Sequence, residues 1–293
     1  MTEPITLAKT SAISLAKVTT TAPDLIDPYN AAGIILRKTG TLGSRAAVYL
    51  ALDHSYSMHP FYADQTVQHL ADRVLSLAAH LDDDGIVPTV FFSDYLHQHR
   101  VGTGQRARME NTADIVLGDH QGRVDALHRS IGDMGGTKYG PAMRAIMDHY
   151  SKSGSTDPAY VAFQTDGEPS DGHDVTELLK EAASLPIFWQ FIGFGEGDFA
   201  FLRSLDTMPP TARVVDNAGF FAAGTDPATL PDEQLYDLLV SEYATWLVAA
   251  RAAGIMGPGA PTSRVRINLG TEPVEQPRGL LSRVRINLGG RRK

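Results

Sequence analysis

Residues 46–52, Ala-Ala-Val-Tyr-Leu-Ala-Leu, are apolar without a break, and an aspartate follows at once. A strand with one wet face alternates apolar and polar side chains. An unbroken run of this length belongs to a strand covered on both faces. Strand-length runs recur at Ile86–Phe92, with Pro88 near its start, at Tyr160–Thr165 and at Ile187–Ile192, and a shorter one at Arg213–Val215. Segments of helical period lie between them. Val67, Leu70, Ala71, Val74 and Leu77 fall on one face. Pro141 suits the first turn of a helix carrying Met143, Ile146 and Tyr150. Asp174-Val-Thr-Glu177 reads as a capping box. Residues 232–252 read as a last amphipathic helix.

Buried strands alternating with helices imply an α/β fold, with a doubly wound, mostly parallel central sheet flanked by helices. Right-handed crossovers align the strand C-termini along one edge, where such folds bind ligands. Chemistry is therefore expected just after each strand. After the first comes Asp53-His-Ser-Tyr-Ser57; after a Gly-Gly pair comes Thr137; after Tyr160–Thr165 comes Asp166-Gly. Asp53, Ser55, Ser57, Thr137 and Asp166 form an all-oxygen set of two carboxylates and three hydroxyls. Such a set suits a hard divalent cation and makes zinc and copper poor candidates. Mg2+ is the expected ion, with Mn2+ or Ca2+ as alternatives.

These motifs resemble the metal-ion-dependent adhesion site of the von Willebrand factor A domain. Ala47–Met58, Leu81–Pro88, Phe163–Gly167, Pro186–Gly195 and Val215–Phe221 are similar to the bacterial tellurium-resistance branch, itself similar to the copine-type A domain. The resemblance spans roughly residues 25–255. It implies a Rossmann-like fold and a metal-dependent protein-binding module in a cytoplasmic stress-response system, not an enzyme. It also implies that Ser55, Ser57 and Thr137 touch the ion and that Asp53 and Asp166 often act through water. Hydroxyl ligands quench little of the ion's charge, so a partner's carboxylate gains a strong contact at the open position. Where the family often has Gly between the serines, this chain has Tyr56. Tyr56 and His54 are the expected partner-contacting residues of this loop.

The chain contains no cysteine, which excludes disulfides, thiolate metal sites and cysteine nucleophiles. No apolar run reaches the ~18 residues of a membrane span, and Met1–Lys9 lacks a signal-peptide pattern. A cytoplasmic protein is expected. Of ten histidines no two lie three or four apart, so they are expected in surface loops. A nucleophile elbow is missing. The enzyme alternative is a metal-dependent phosphoester hydrolase, for which Lys138 is the only cation beside the motif residues. A copine-like peripheral membrane binder is a further alternative.

Three regions are expected: an arm over 1–24, the A-type domain over 25–255, and a linker with a basic tail over 256–293. The arm holds a near-repeat, Ile5–Lys9 and Ile13–Lys17, read as a short hairpin, two edge strands or a loose lead-in. The tail holds Ser-Arg-Val-Arg-Ile-Asn-Leu-Gly twice, at 263–270 and 282–289. Val265, Ile267 and Leu269, like Val284, Ile286 and Leu288, fall on one face of a strand pattern. They are read either as partner-docking strands or as a hairpin covering the chain's own sheet. Residues 261–293 hold eight Lys/Arg and two Glu, a net of +6. Against the whole-chain −8, residues 1–260 carry −14, which argues against nucleic-acid binding by the main domain.

Overall fold

A computed structural model describes residues 10–101, 108–209 and 211–256. The strands are β1 (Ala47–Asp53), β2 (Ile86–Phe92), β3 (His99–Val101), β4 (Arg108–Glu110), β5 (Ala113–Val116), β6 (Ala159–Thr165), β7 (Ile187–Phe194) and β8 (Ala218–Gly224). The helices are α1 (Leu15–Thr21), α2 (Ile26–Lys38), α3 (His59–Ala63), α4 (Thr66–Leu81), α5 (Arg123–Ser130), α6 (Gly140–Ser153), α7 (Gly172–Ala182), α8 (Ala200–Asp206) and α9 (Asp232–Ala252).

Six strands form one sheet in the order β5-β2-β1-β6-β7-β8, parallel except for β5. Every residue of β1, β6 and β7 is buried, as the unbroken apolar runs require. Alternate side chains feed two cores. Val48, Leu50 and Leu52 pack with α2, α4 and α9, while Tyr49 and Ala51 pack with α6 and α7. The sheet is thus the middle layer of three, and its C-terminal edge carries the loops after β1, β2, β6 and β7.

Several local expectations are corrected. Ile13–Lys17 is no strand: the Ser14 hydroxyl accepts from the Lys17 N–H and caps α1. Ile13 is buried, and its N–H donates to the Ala79 carbonyl at the end of α4. Ile5–Lys9 lies outside the described residues. Arg213–Val215 is not the last strand; β8 begins at Ala218. The Arg213 side chain is instead buried, donates to the carbonyls of Asp206 and Met208, and pairs with Asp216 at 2.6 Å. Helix α7 starts at Gly172, ahead of the capping box read at Asp174. Short β3, β4 and β5 carry no comparable apolar signal.

Candidate functional site

Asp53 ends β1 and Asp166 follows β6, the adjacent strand, so the topology sets the two carboxyls side by side. Asp53 is fully buried. Its Oδ1 accepts from the Ser55 N–H at 2.7 Å, and its Oδ2 from the Thr165 hydroxyl at 2.6 Å. The Ser55 and Ser57 Oγ atoms lie 3.2 Å apart, and the Ser57 hydroxyl donates to Asp166 Oδ1 at 2.8 Å. These oxygen spacings bracket the ~3.0 Å edge of an octahedron with metal–oxygen distances of ~2.0–2.1 Å. The donor set and its spacing therefore fit Mg2+. Among the described residues, no three His, Asp or Glu side chains converge as a metal-holding group, so any ion here depends on the hydroxyls.

Thr137 lies on a loop stitched to both neighbours. The Tyr56 N–H donates to the Gly135 carbonyl, and the Gly135 N–H donates back to that of His54. The Thr137 carbonyl accepts from the N–H and hydroxyl of Ser170. A Cβ on Gly136 would stand 2.5 Å from Asp94 Oδ1, the end of an exposed side chain. The Gly136 N–H donates to the same carboxylate.

Both carboxyls are disfavoured as anions. Burial pushes Asp53 up to about 6, against the bonds from Ser55 and Thr165, and nearby Asp166 pushes the same way. Burial also raises Asp166. Two carboxyls leaning toward neutrality in one pocket are the situation a divalent ion reverses.

Tyr56 is 77 % exposed on the first loop, open to a partner. His54 is not, and its expected partner contact is corrected. Its side chain is fully buried, with Nε2 at 2.8 Å from His128 Nδ1 and the ring edge-on to His97 and Tyr62. Burial, then the neighbouring His97, His128 and His99, pushes it down to about 3, so it packs as a neutral ring. His80, His97, His99 and His120 are buried too, against the surface placement expected. Val265, Ile267, Leu269, Val284, Ile286 and Leu288 lie outside the described residues.

Sequence reasoning missed the supports. Thr165 holds Asp53, and the Tyr62 hydroxyl donates to the Asp53 carbonyl. Asp171 accepts from the Tyr139 and Gly140 N–H groups at the start of α6, which follows Thr137. Only Thr165, next to Asp166, carried a signal in its position.

The family model for vWA-TerF-like domains, the vWA found in the TerF C terminus, matches residues 45–256. The uncharacterized protein YcbR of Bacillus subtilis (strain 168) is 29% identical over 233 residues, covering 78% of this chain and 88% of YcbR. A von Willebrand factor type A structure from Catenulispora acidiphila matches with a TM-score of 0.41 at 14% identity, over 69% of this chain and 43% of its own. This chain thus spans less than half of that one. Manganese-loaded Plasmodium vivax TRAP protein matches with a TM-score of 0.44 at 18% identity, over 61% of this chain and 69% of its own.

Proposed function

The chain belongs to the vWA-TerF-like family of von Willebrand factor A domains, and from that premise we propose a metal-ion-dependent protein-binding module. Its ligands are Asp53, Ser55, Ser57, Thr137 and Asp166, its ion is Mg2+, and its partner supplies a carboxylate to the open position. The observation that carries this reading is the run of oxygens from Ser55 through Ser57 to Asp166 at octahedral-edge spacing, beside an Asp53 carboxyl held by the Ser55 N–H, with both carboxyls raised by burial. Tyr56, exposed beside that position, is the side chain a partner meets next.

The role is binding rather than turnover. A phosphoester hydrolase needs a clamp for the phosphate charge, and Lys138 is the one Lys or Arg on the loops bearing the five ligands. The system is a cytoplasmic stress response of the tellurium-resistance kind, supported by the TerF-like match. No described helix is long and apolar enough to cross a membrane.

The test is affinity capture in Mg2+ followed by EDTA. The partner is expected to elute with EDTA and to fail to bind Asp166→Ala protein. A partner that survives both treatments would show that any ion here is structural, and the proposal would fail.

A further inference from the structure

Of the described Phe, Tyr and Trp residues, two stand exposed: Tyr56 at 77 % and Tyr95 at 53 %. Both lie on loops at the C-terminal edge of the sheet, Tyr56 after β1 and Tyr95 after β2. Exposed rings of this kind are concentrated where proteins bind one another, because each offers a large contact area with few torsions to freeze.

The two tyrosine loops share one anchor, the strip that carries Thr137. The Tyr56 N–H donates to the Gly135 carbonyl, the Gly136 N–H to Asp94, and the Lys138 N–H to the Ser93 carbonyl. The turn bearing Tyr95 is itself closed. The Ser93 N–H donates to the Tyr95 carbonyl at 2.9 Å, and Phe92 bridges to Leu96. The Tyr95 ring leans on the buried His97, with centroids 4.9 Å apart, and His97 packs edge-on against His54 behind the Ser55 loop. A partner therefore meets rings on loops that are already ordered, which lowers the entropy lost on binding.

The charge beside these rings is negative. Asp94, next to Tyr95, and Asp133, just before the Thr137 strip, are both exposed. Among the described residues neither pairs with a Lys or Arg. A bare acidic segment would be drawn to the ion and repelled by these carboxylates. An arginine next to the ligating carboxylate answers both features: its guanidinium stacks on a tyrosine face and pairs with Asp94.

We propose that Tyr56, Tyr95 and Asp94 form a specificity surface around the metal site, and that it selects a partner segment in which the ligating carboxylate is flanked by arginine. This inference rests on the metal-binding reading above and adds the partner's chemistry to it.

The test uses the full chain in Mg2+ and three labelled, end-blocked heptapeptides. Each has one central aspartate, flanked on both sides by arginine, by alanine or by glutamate. The arginine peptide is expected to bind at least about fivefold more tightly than the alanine peptide, and the glutamate peptide most weakly. EDTA should release all three. Tyr56→Ala with Tyr95→Ala should weaken the arginine peptide, and Tyr56→Phe with Tyr95→Phe, which keeps the rings, should recover it. Asp94→Asn should shrink the preference for arginine over alanine. Equal binding of the arginine and alanine peptides overturns the proposal. So does a preference that survives in both the double alanine variant and Asp94→Asn. A Mg2+-induced rise in the native melting temperature separates the two readings. If it is present and no peptide binds, the tyrosine surface falls and the metal site stands. If it is missing, the metal site falls and this inference falls with it.

Discussion

Asp53 is held by two conflicting demands. Its burial disfavours the charged form, while Ser55 N–H and Thr165 O–H hold both its oxygens ready for use. A cation resolves the conflict. At a hundredfold excess over its Kd, Mg2+ would add about 2.7 kcal/mol of stability. That corresponds to a rise in melting temperature of about 5–10 °C for a domain of this size. Asp53→Ala should keep the fold, seen by circular dichroism, and lose that rise. A variant still stabilised by Mg2+ to the native extent would remove Asp53 from the ligand set. At this scale the sequence was legible where residues lie close along the chain: Asp53, at the end of β1, is followed at once by Ser55 and Ser57, and Asp166 directly follows the next strand over. His54 was misread because nothing local says which way a loop side chain turns. Its burial depends on His97 and His128, 43 and 74 positions away, which the fold brings together.

Helix α6 shows how elements hold the site open to a ligand. Its first turn follows Thr137 directly, and its leading N–H groups at Tyr139 and Gly140 would be unpaired but for Asp171, which comes from the loop after β6. A side chain near the N-terminus of α7 thus caps a different helix and ties the Thr137 loop to the Asp166 loop. Losing such a cap costs about 0.5–2 kcal/mol. Asp171→Ala should lower the unfolding free energy in urea by that amount, and Asp171→Asn should recover part of the loss. An unchanged urea midpoint in the alanine variant would show that these bonds contribute nothing. The elements legible in sequence were β1, β6 and β7, whose burial is complete, β2, whose burial is nearly so, and the helices with a clear stripe. The last strand was displaced by a few residues. Arg213 looks like a strand start but is a buried anchor, and Ala218–Gly224 has two glycines and little β-branching to announce it. A cap that reaches across from another element, as Asp171 does, has no local pattern to find.

The whole molecule holds a carboxyl cluster at each end of its sheet, and the two are built differently. At the C-terminal edge, Asp53 and Asp166 stand among hydroxyls. At the opposite end, Glu242 of α9 meets Asp206 at the end of α8, with Asp216 and the buried Arg213 near the start of β8. Burial, and then Asp206, pushes Glu242 up to about 8. The unfolded chain holds that carboxyl near the ordinary 4.5, so between the two values the native state carries a proton that the unfolded state has released. The contribution is fully present below about 4.5 and is lost as pH rises through about 8. The contribution of Glu242 should therefore fall across that window even at saturating Mg2+, since the ion acts at the other end, while buried neutral histidines such as His54 act in the opposite direction below about 6.5. Glu242→Gln keeps the shape and removes the titration, so the melting temperature of the native protein relative to the variant should fall as pH rises from 5 to 8. Parallel dependences of melting temperature on pH for the native protein and the Glu242→Gln variant would show instead that Asp206 and Glu242 are both ionised in the native state, balanced by Arg213.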